Sequence, residues 1–221
     1  SVAEHTFGLI INIAKKINYY DTEVRSNNFE IRNSFNSRDL NKKNILIFGY
    51  GRIGKKIADI CSFFNMNVFV YDKFLNLENV SNNIKVVRDI KENLNIYDFI
   101  SLHIPFNNSE KALIDKTFLN KLKNDCAIIN TSRGDLIDEK DLINHLKENN
   151  NFYAGLDVFN PEPPASDNEL FKLNNTILTP HSAAYTDECL AEMSLHCAIN
   201  IENFFKGKID QSRLINKEIY I

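Results

Sequence analysis

The chain has 221 residues, with 26 lysines and arginines against 29 aspartates and glutamates, for a formal net charge of −3. A composition 43% hydrophobic and 25% charged is that of a soluble globular protein, and it excludes a disordered chain, a collagen-like repeat and a disulfide scaffold. A pI near 6.0 without any basic run argues against nucleic acid or an anionic membrane surface as partner.

No apolar run approaches the roughly 20 residues of a membrane helix. The four cysteines, Cys61, Cys126, Cys189 and Cys197, have neither metal-ligand nor CxxC spacing, so the expectation is no metal, reduced thiols and a cytoplasmic setting.

In chain order, Phe7, Ile10, Ile11, Ala14 and Ile17 recur at helical spacing, with Leu9 and Ile13 adding a second apolar side. This predicts a linking helix over about 2–18, buried on two sides between domains or subunits, with His5 as a contact residue. Residues 18–43 are polar and Asn-rich without clear periodicity, and read as an extended arm or a flexible connection. From residue 44 short β-rich runs alternate with helical stretches. Strands are expected at 44–48, 67–71, 84–87, 99–102, 127–130, 153–156 and 176–178, with helices at 53–64, 116–122 and, capped by Asp138, up to about 149. Strands alternating with helices through short loops mean an α/β fold, a doubly wound parallel sheet covered on both faces. A final helix, capped by Thr186 and ended by Lys206 and Gly207, carries a packing stripe of Leu190, Met193, Cys197, Ile201 and Phe204. The doubly wound core is thus about 43–183, flanked by helices at about 2–18 and 186–206.

Only seven residues are glycine while about thirty are asparagine, the residue that best replaces glycine in left-handed turns. Three of the seven, Gly49, Gly51 and Gly54, fall in one GxGxxG run that follows a strand and opens a helix. The first permits the tight turn, the second lets backbone approach a pyrophosphate, and the third lets helix and strand pack closely. Asp72 ends the second strand, where an acid accepts hydrogen bonds from an adenosine ribose and repels a 2′-phosphate, which favours NAD over NADP.

Three further polar segments end strands, at 130–134, 156–163 and 179–183. They carry Arg133, Glu162 and His181, which meet only if the fold brings the three edges together. Together with Ser101-Leu102-His103-Ile104-Pro105 and the run from Asn130 to Asp138 (NTSRGDLID), these motifs resemble the D-2-hydroxyacid dehydrogenase family through nearly the whole chain. Its members include D-3-phosphoglycerate dehydrogenases and glyoxylate/hydroxypyruvate reductases.

The resemblance implies an NAD-dependent oxidoreductase that moves hydride between nicotinamide and a small D-2-hydroxy or 2-oxo acid. It casts Arg133 as the residue binding the substrate carboxylate, His181 as general acid/base and Glu162 as its partner. Along the cofactor it implies Arg52 and Ile53 at the pyrophosphate and Ile104, through its backbone, with Thr131, Ser132 and Arg133 on the dinucleotide path. It also puts Asp157 at the nicotinamide carboxamide, with His181 and Ala183 near the ring. A homodimer through the nucleotide-binding domain is implied too. The family's substrate domain is largely missing from this chain, which opens with Ser1, so the chain alone is expected to bind NAD with little or no turnover. A second reading from the same resemblance is an NAD-sensing dimerisation module like the family's corepressor relatives; a third is an NADP enzyme of the same fold.

Overall fold

The apolar runs become strands buried on both faces. A computed structural model describes residues 1–107 and 111–211, together with 214, 216 and 218. Its elements in order are α1 (Val2–Lys15), α2 (Ile17–Arg25), β1 (Asn44–Phe48), α3 (Arg52–Phe63), β2 (Asn67–Tyr71), β3 (Lys85–Val86) and β4 (Phe99–Leu102). Then follow α4 (Lys116–Leu119), β5 (Ala127–Asn130), α5 (Glu139–Glu148), β6 (Tyr153–Leu156), β7 (Thr176–Leu178) and α6 (Asp187–Phe205).

The seven strands form one sheet in the order β3-β2-β1-β4-β5-β6-β7, with every pairing parallel. The winding reverses between β1 and β4, which opens a crevice at their carboxyl ends, the place where ligands bind in such sheets. Alternate side chains of each strand feed two cores. Leu46, Phe48, Ile100, Leu102 and Ile128 pack with Phe118, Leu142 and Leu146 on one side. Ile45, Ile47, Val68, Val70 and Ile129 pack with Ile10, Ile13, Ile57 and Ala58 on the other. Each fully buried Ile, Leu or Phe contributes about 1.5–3 kcal/mol relative to an exposed one. α1 can lie flat on this sheet because β6 offers Gly155: a Cβ there would stand 3.3 Å from both Leu9 and Ile13.

Several boundaries differ from the sequence expectation. The linking helix breaks at Lys16, which adopts a left-handed φ of 53° and turns its ammonium onto the Tyr153 hydroxyl at 2.7 Å. Residues 18–43 are not wholly irregular: α2 and a 3₁₀ turn at Phe29–Ser34 occupy much of the stretch, although neither buries a residue. Local bonds hold α2, including Arg25 to Asp21 at 2.8 Å and the Thr22 hydroxyl to the Asn18 carbonyl at 2.9 Å. The helix expected at 116–122 is a single turn, capped by Asp115 on the Phe118 N–H at 2.9 Å and unwound into tight turns after Leu119. Asparagine does carry left-handed turns, at Asn27, Asn65 and Asn93.

The segment beginning at Ala184 forms a separate unit. In it, α6 opens on Thr186, whose hydroxyl accepts the Cys189 N–H at 3.2 Å, and it ends before Gly207, with φ +67°. Leu190, Met193, Ile201 and Phe204, expected to pack, are exposed. No helix among the described residues is long and apolar enough to cross a membrane.

His103 follows β4 at the crevice, and its Nε2 lies 2.8 Å from the Ser101 hydroxyl. Burial lowers its pKa to about 4. Between that value and the ordinary histidine range the unfolded chain binds a proton that the folded chain refuses, so stability falls as pH drops through this window. The slope is at most about 1.4 kcal/mol per pH unit. Denaturant midpoints at pH 7 and pH 5 should therefore show His103→Asn losing about 2 kcal/mol less than the parent on acidification.

Candidate active site at the carboxyl edge of the sheet

The glycine turn is shaped by close approach. Gly49 has φ +90°, and a Cβ on it would lie 2.5 Å from the His103 carbonyl oxygen. A Cβ on Gly54 would lie 2.0 Å from the Gly49 oxygen, so helix and turn could not pack. Gly51 differs, because nothing lies within 4 Å of the place its Cβ would occupy. It leaves an open cradle at the start of α3, whose first N–H groups receive no side-chain cap and whose dipole end is positive. An anionic diphosphate fits that donor set.

Asp72, directly after β2, accepts the Tyr50 N–H and the Phe74 N–H, each at 2.8 Å. Those two bonds fix the carboxylate beside the turn and leave lone pairs for a ribose. Arg52 and Ile53 sit exposed in the first turn of α3. The residues present therefore fit a dinucleotide.

On the β5 side, the buried Asn130 moulds the next loop: its Oδ1 accepts the Ser132 N–H at 3.0 Å, and its Nδ2 donates to the Arg133 carbonyl at 2.8 Å. The Ser132 hydroxyl donates to the Ile104 carbonyl at 2.5 Å, which joins this loop to the one after β4. Thr131 and Thr6 share a hydroxyl bond of 2.8 Å. Arg133 is exposed, with Nη1 on the Ser132 carbonyl at 2.6 Å.

The Arg133 loop then presses directly against the turn after β6. A Cβ on Gly134 would lie 2.0 Å from the Phe159 carbonyl oxygen and 2.8 Å from the Asn160 nitrogen, and Asn160 Nδ2 donates to Asp135 at 2.6 Å. In the same turn the Phe159 N–H donates to Glu162 Oε1 at 2.9 Å. The other oxygen, Oε2, lies 2.7 Å from His181 Nδ1. An ionised carboxylate only accepts, so that contact puts a proton on Nδ1 and leaves Nε2 for a ligand. The pair is half open to solvent, and it borders a largely apolar cavity of about 410 Å³ lined in part by Phe159, Phe171, Leu178 and Pro180.

Glu162 and His181 are thus in direct contact, and the turn that fixes Glu162 is seated on the loop that carries Arg133. Asp157, expected at the nicotinamide carboxamide, follows β6 directly and holds the turn after β7. It is fully buried, and its carboxylate accepts the Thr179 hydroxyl at 2.5 Å and the Ser182 and Ala183 N–H groups, each at 2.9 Å. Sequence reading missed His5, whose Nε2 lies 3.0 Å from Thr179 Oγ1 and 3.6 Å from Asp157 Oδ1. Its one signal was a polar side chain in an otherwise apolar helical stretch, which names no partner. It also missed Asn130 and Gly134, whose roles exist only through loops distant in the chain.

An all-parallel doubly wound sheet, a GxGxxG turn at its switch point and an acid after the second strand define a dinucleotide-binding domain of the Rossmann type. Residues 7–183 match the family described as D-isomer specific 2-hydroxyacid dehydrogenase, NAD binding domain. The chain is 35% identical over 208 residues to a D-3-phosphoglycerate dehydrogenase of Archaeoglobus fulgidus, covering 94% of this chain and 39% of that protein. It is 34% identical over 225 residues to a glyoxylate reductase of Thermococcus litoralis, covering 99% of this chain and 67% of that one. Among solved structures, an acyclic imino acid reductase (Bsp5) in complex with NADPH and D-Arg superposes with a TM-score of 0.83 at 34% identity, covering 94% of this chain and 66% of that one. The chain belongs to the D-isomer specific 2-hydroxyacid dehydrogenase family, as its NAD-binding domain. It spans about two fifths of the length of the phosphoglycerate dehydrogenases it matches and about two thirds of the glyoxylate reductases.

Two glycine substitutions should separate folding from binding. Gly51→Val meets open space and keeps the parent's melting temperature, yet should weaken NAD binding at least about tenfold, since the added methyls occupy the cradle. Gly134→Ala forces backbone apart and should cost about 3 kcal/mol in a denaturant titration.

Proposed function

We propose that this chain is the cofactor-binding part of an NAD-dependent oxidoreductase that interconverts a D-2-hydroxy acid and its 2-oxo acid. Glyoxylate, hydroxypyruvate and the oxidation product of 3-phosphoglycerate are the candidate oxo acids. The single observation that carries the reading is the Glu162–His181 contact of 2.7 Å, seated on the loop that presents Arg133. Gly49, Gly51, Arg52, Ile53 and Gly54 hold the diphosphate, and Asp72 holds the ribose. The Ile104 carbonyl region with Thr131 and Ser132 lines the path between them, and the turn from His181 to Ala183 lies at the nicotinamide end. NAD, when bound, supplies or accepts the hydride.

The protein's own residues handle charge and proton. Arg133 pairs with the substrate carboxylate and stabilises negative charge growing on the carbonyl oxygen. His181 donates the Nε2 proton to that oxygen during reduction and withdraws it during oxidation, as suits an imidazole working near neutral pH. Glu162 keeps Nδ1 protonated, fixes the ring plane and offsets the imidazolium charge. Asp157 supports the nicotinamide end by accepting the Ser182 and Ala183 N–H groups of the 181–183 turn. The free thiols among the described residues favour a cytoplasmic setting.

The test has two arms. Calorimetry on the chain should show NAD binding more tightly than NADP, with Asp72→Ala narrowing the gap; tighter NADP would overturn the cofactor assignment. In the enzyme completed by a substrate domain, His181→Ala should lower NADH-dependent reduction of glyoxylate or hydroxypyruvate by about 10²–10⁴-fold while NAD affinity holds. Undiminished turnover in that variant, or appreciable turnover by this chain alone, would refute the assignment.

We further propose a homodimer through this domain. The arm leaves Ile17, Val24, Phe29 and Phe35 exposed, Phe35 at 87%, which is apolar surface that a second copy would cover. Sedimentation velocity should give a dimer, and the double variant Phe29→Asp/Phe35→Asp should give a monomer with unchanged NAD binding.

A further inference from the structure

The first turn of α1 and the ends of β6 and β7 meet at a polar cluster in which the hydride-transfer reading leaves His5 and Thr179 unassigned. Asp157 is 0% exposed, and a carboxylate so placed persists only when its oxygens are satisfied. Its Oδ1 takes the Thr179 hydroxyl proton at 2.5 Å and the Ser182 N–H at 2.9 Å, while Oδ2 takes the Ala183 N–H at 2.9 Å. Thr179 has a single hydroxyl proton, and the carboxylate already holds it. The threonine oxygen must therefore accept from His5 Nε2 at 3.0 Å, which fixes the proton of His5 on that nitrogen. Among the described residues, His5 is also the basic side chain paired with Asp157, at 3.6 Å.

The relay ends on the two peptides that follow His181. That histidine has a left-handed φ of 53°, a conformation a side-chain-bearing residue keeps only when its surroundings enforce it. Glu162 orients the ring from one side, and the Asp157 carboxylate holds the backbone from the other. We propose that His5 is a positioning residue for His181, acting through Thr179 and Asp157 to keep the left-handed turn in place. The catalytic consequence rests on reading His181 as the acid/base, whereas the structural link does not.

Amide hydrogen exchange on this chain tests the link. His5→Leu removes the donor, His5→Gln keeps an N–H near the position of Nε2, and Thr179→Val cuts the relay one step further on. In His5→Leu and in Thr179→Val, exchange at Ser182 and Ala183 should speed up at least tenfold while the amides of β1 and β4 keep their protection. His5→Gln should stay close to the parent. In the completed enzyme His5→Leu should lower kcat at least tenfold with the KM for NAD within twofold. Unchanged exchange at Ser182 and Ala183, equal acceleration in β1 and β4 for both cutting variants, or failure of His5→Gln to preserve the pattern would each overturn the proposal. An enzyme that reduces no 2-oxo acid, yet shows the local exchange pattern, would refute the proposed function and leave the positioning role intact.

Discussion

The backbone of Phe159 joins the two halves of the candidate site. Its N–H holds Glu162 at 2.9 Å, and its carbonyl is so close to the Arg133 loop that residue 134 has room for no side chain. The backbone of one residue, through the two peptide planes that meet at its Cα, therefore ties a guanidinium-bearing loop to a carboxylate–imidazole pair. Catalytic geometry of this kind has to be held to a fraction of an ångström, and backbone packed on backbone is the stiffest means a protein has.

That joint is possible because all strands run the same way. Parallel pairing puts the ends of β5, β6 and β7 side by side along one edge, so loops separated by tens of residues emerge as neighbours. The same geometry brings the Gly49 turn against the His103 carbonyl and the Ser132 hydroxyl against the Ile104 carbonyl. A continuous seam of contacts thus runs from the glycine turn to the Glu162–His181 pair. Cofactor cradle and proton-handling groups are two stretches of one edge.

Charge is placed along the seam with similar economy. The glycine turn presents uncapped N–H groups and the positive end of a helix, while Asp72 beside it is pinned by two backbone donors. Asp157 is buried without a lysine or arginine partner among the described residues, and backbone N–H groups, a hydroxyl and a histidine satisfy it instead. A donor set of this kind satisfies the oxygens of a carboxylate held in the interior.

Much of this was legible in the chain. Unbroken apolar runs such as NILIF and AIIN specify strands buried on both faces, and their alternation with helices specifies the parallel sheet. The spacing of Gly49, Gly51 and Gly54 between strand and helix specifies the phosphate turn, because glycine there answers a local steric demand. Helix ends were less legible: the break at Lys16 and the single turn at residues 116–119 follow from where Tyr153 lies and how the chain leaves Asp115, not from local propensity. Residues 18–43 hid α2 for the same reason, since a helix that buries nothing leaves no apolar period to read. The sequence by itself determined the sheet, the cradle and the residue types able to move a proton and bind a carboxylate, since these depend on neighbours within a few positions. Only tertiary packing decided that Glu162 meets His181, that Gly134 must lack a side chain and that His5 reaches Asp157. Those contacts join residues 19 to 152 positions apart, and no local spacing encodes which side chains a folded sheet edge will bring together.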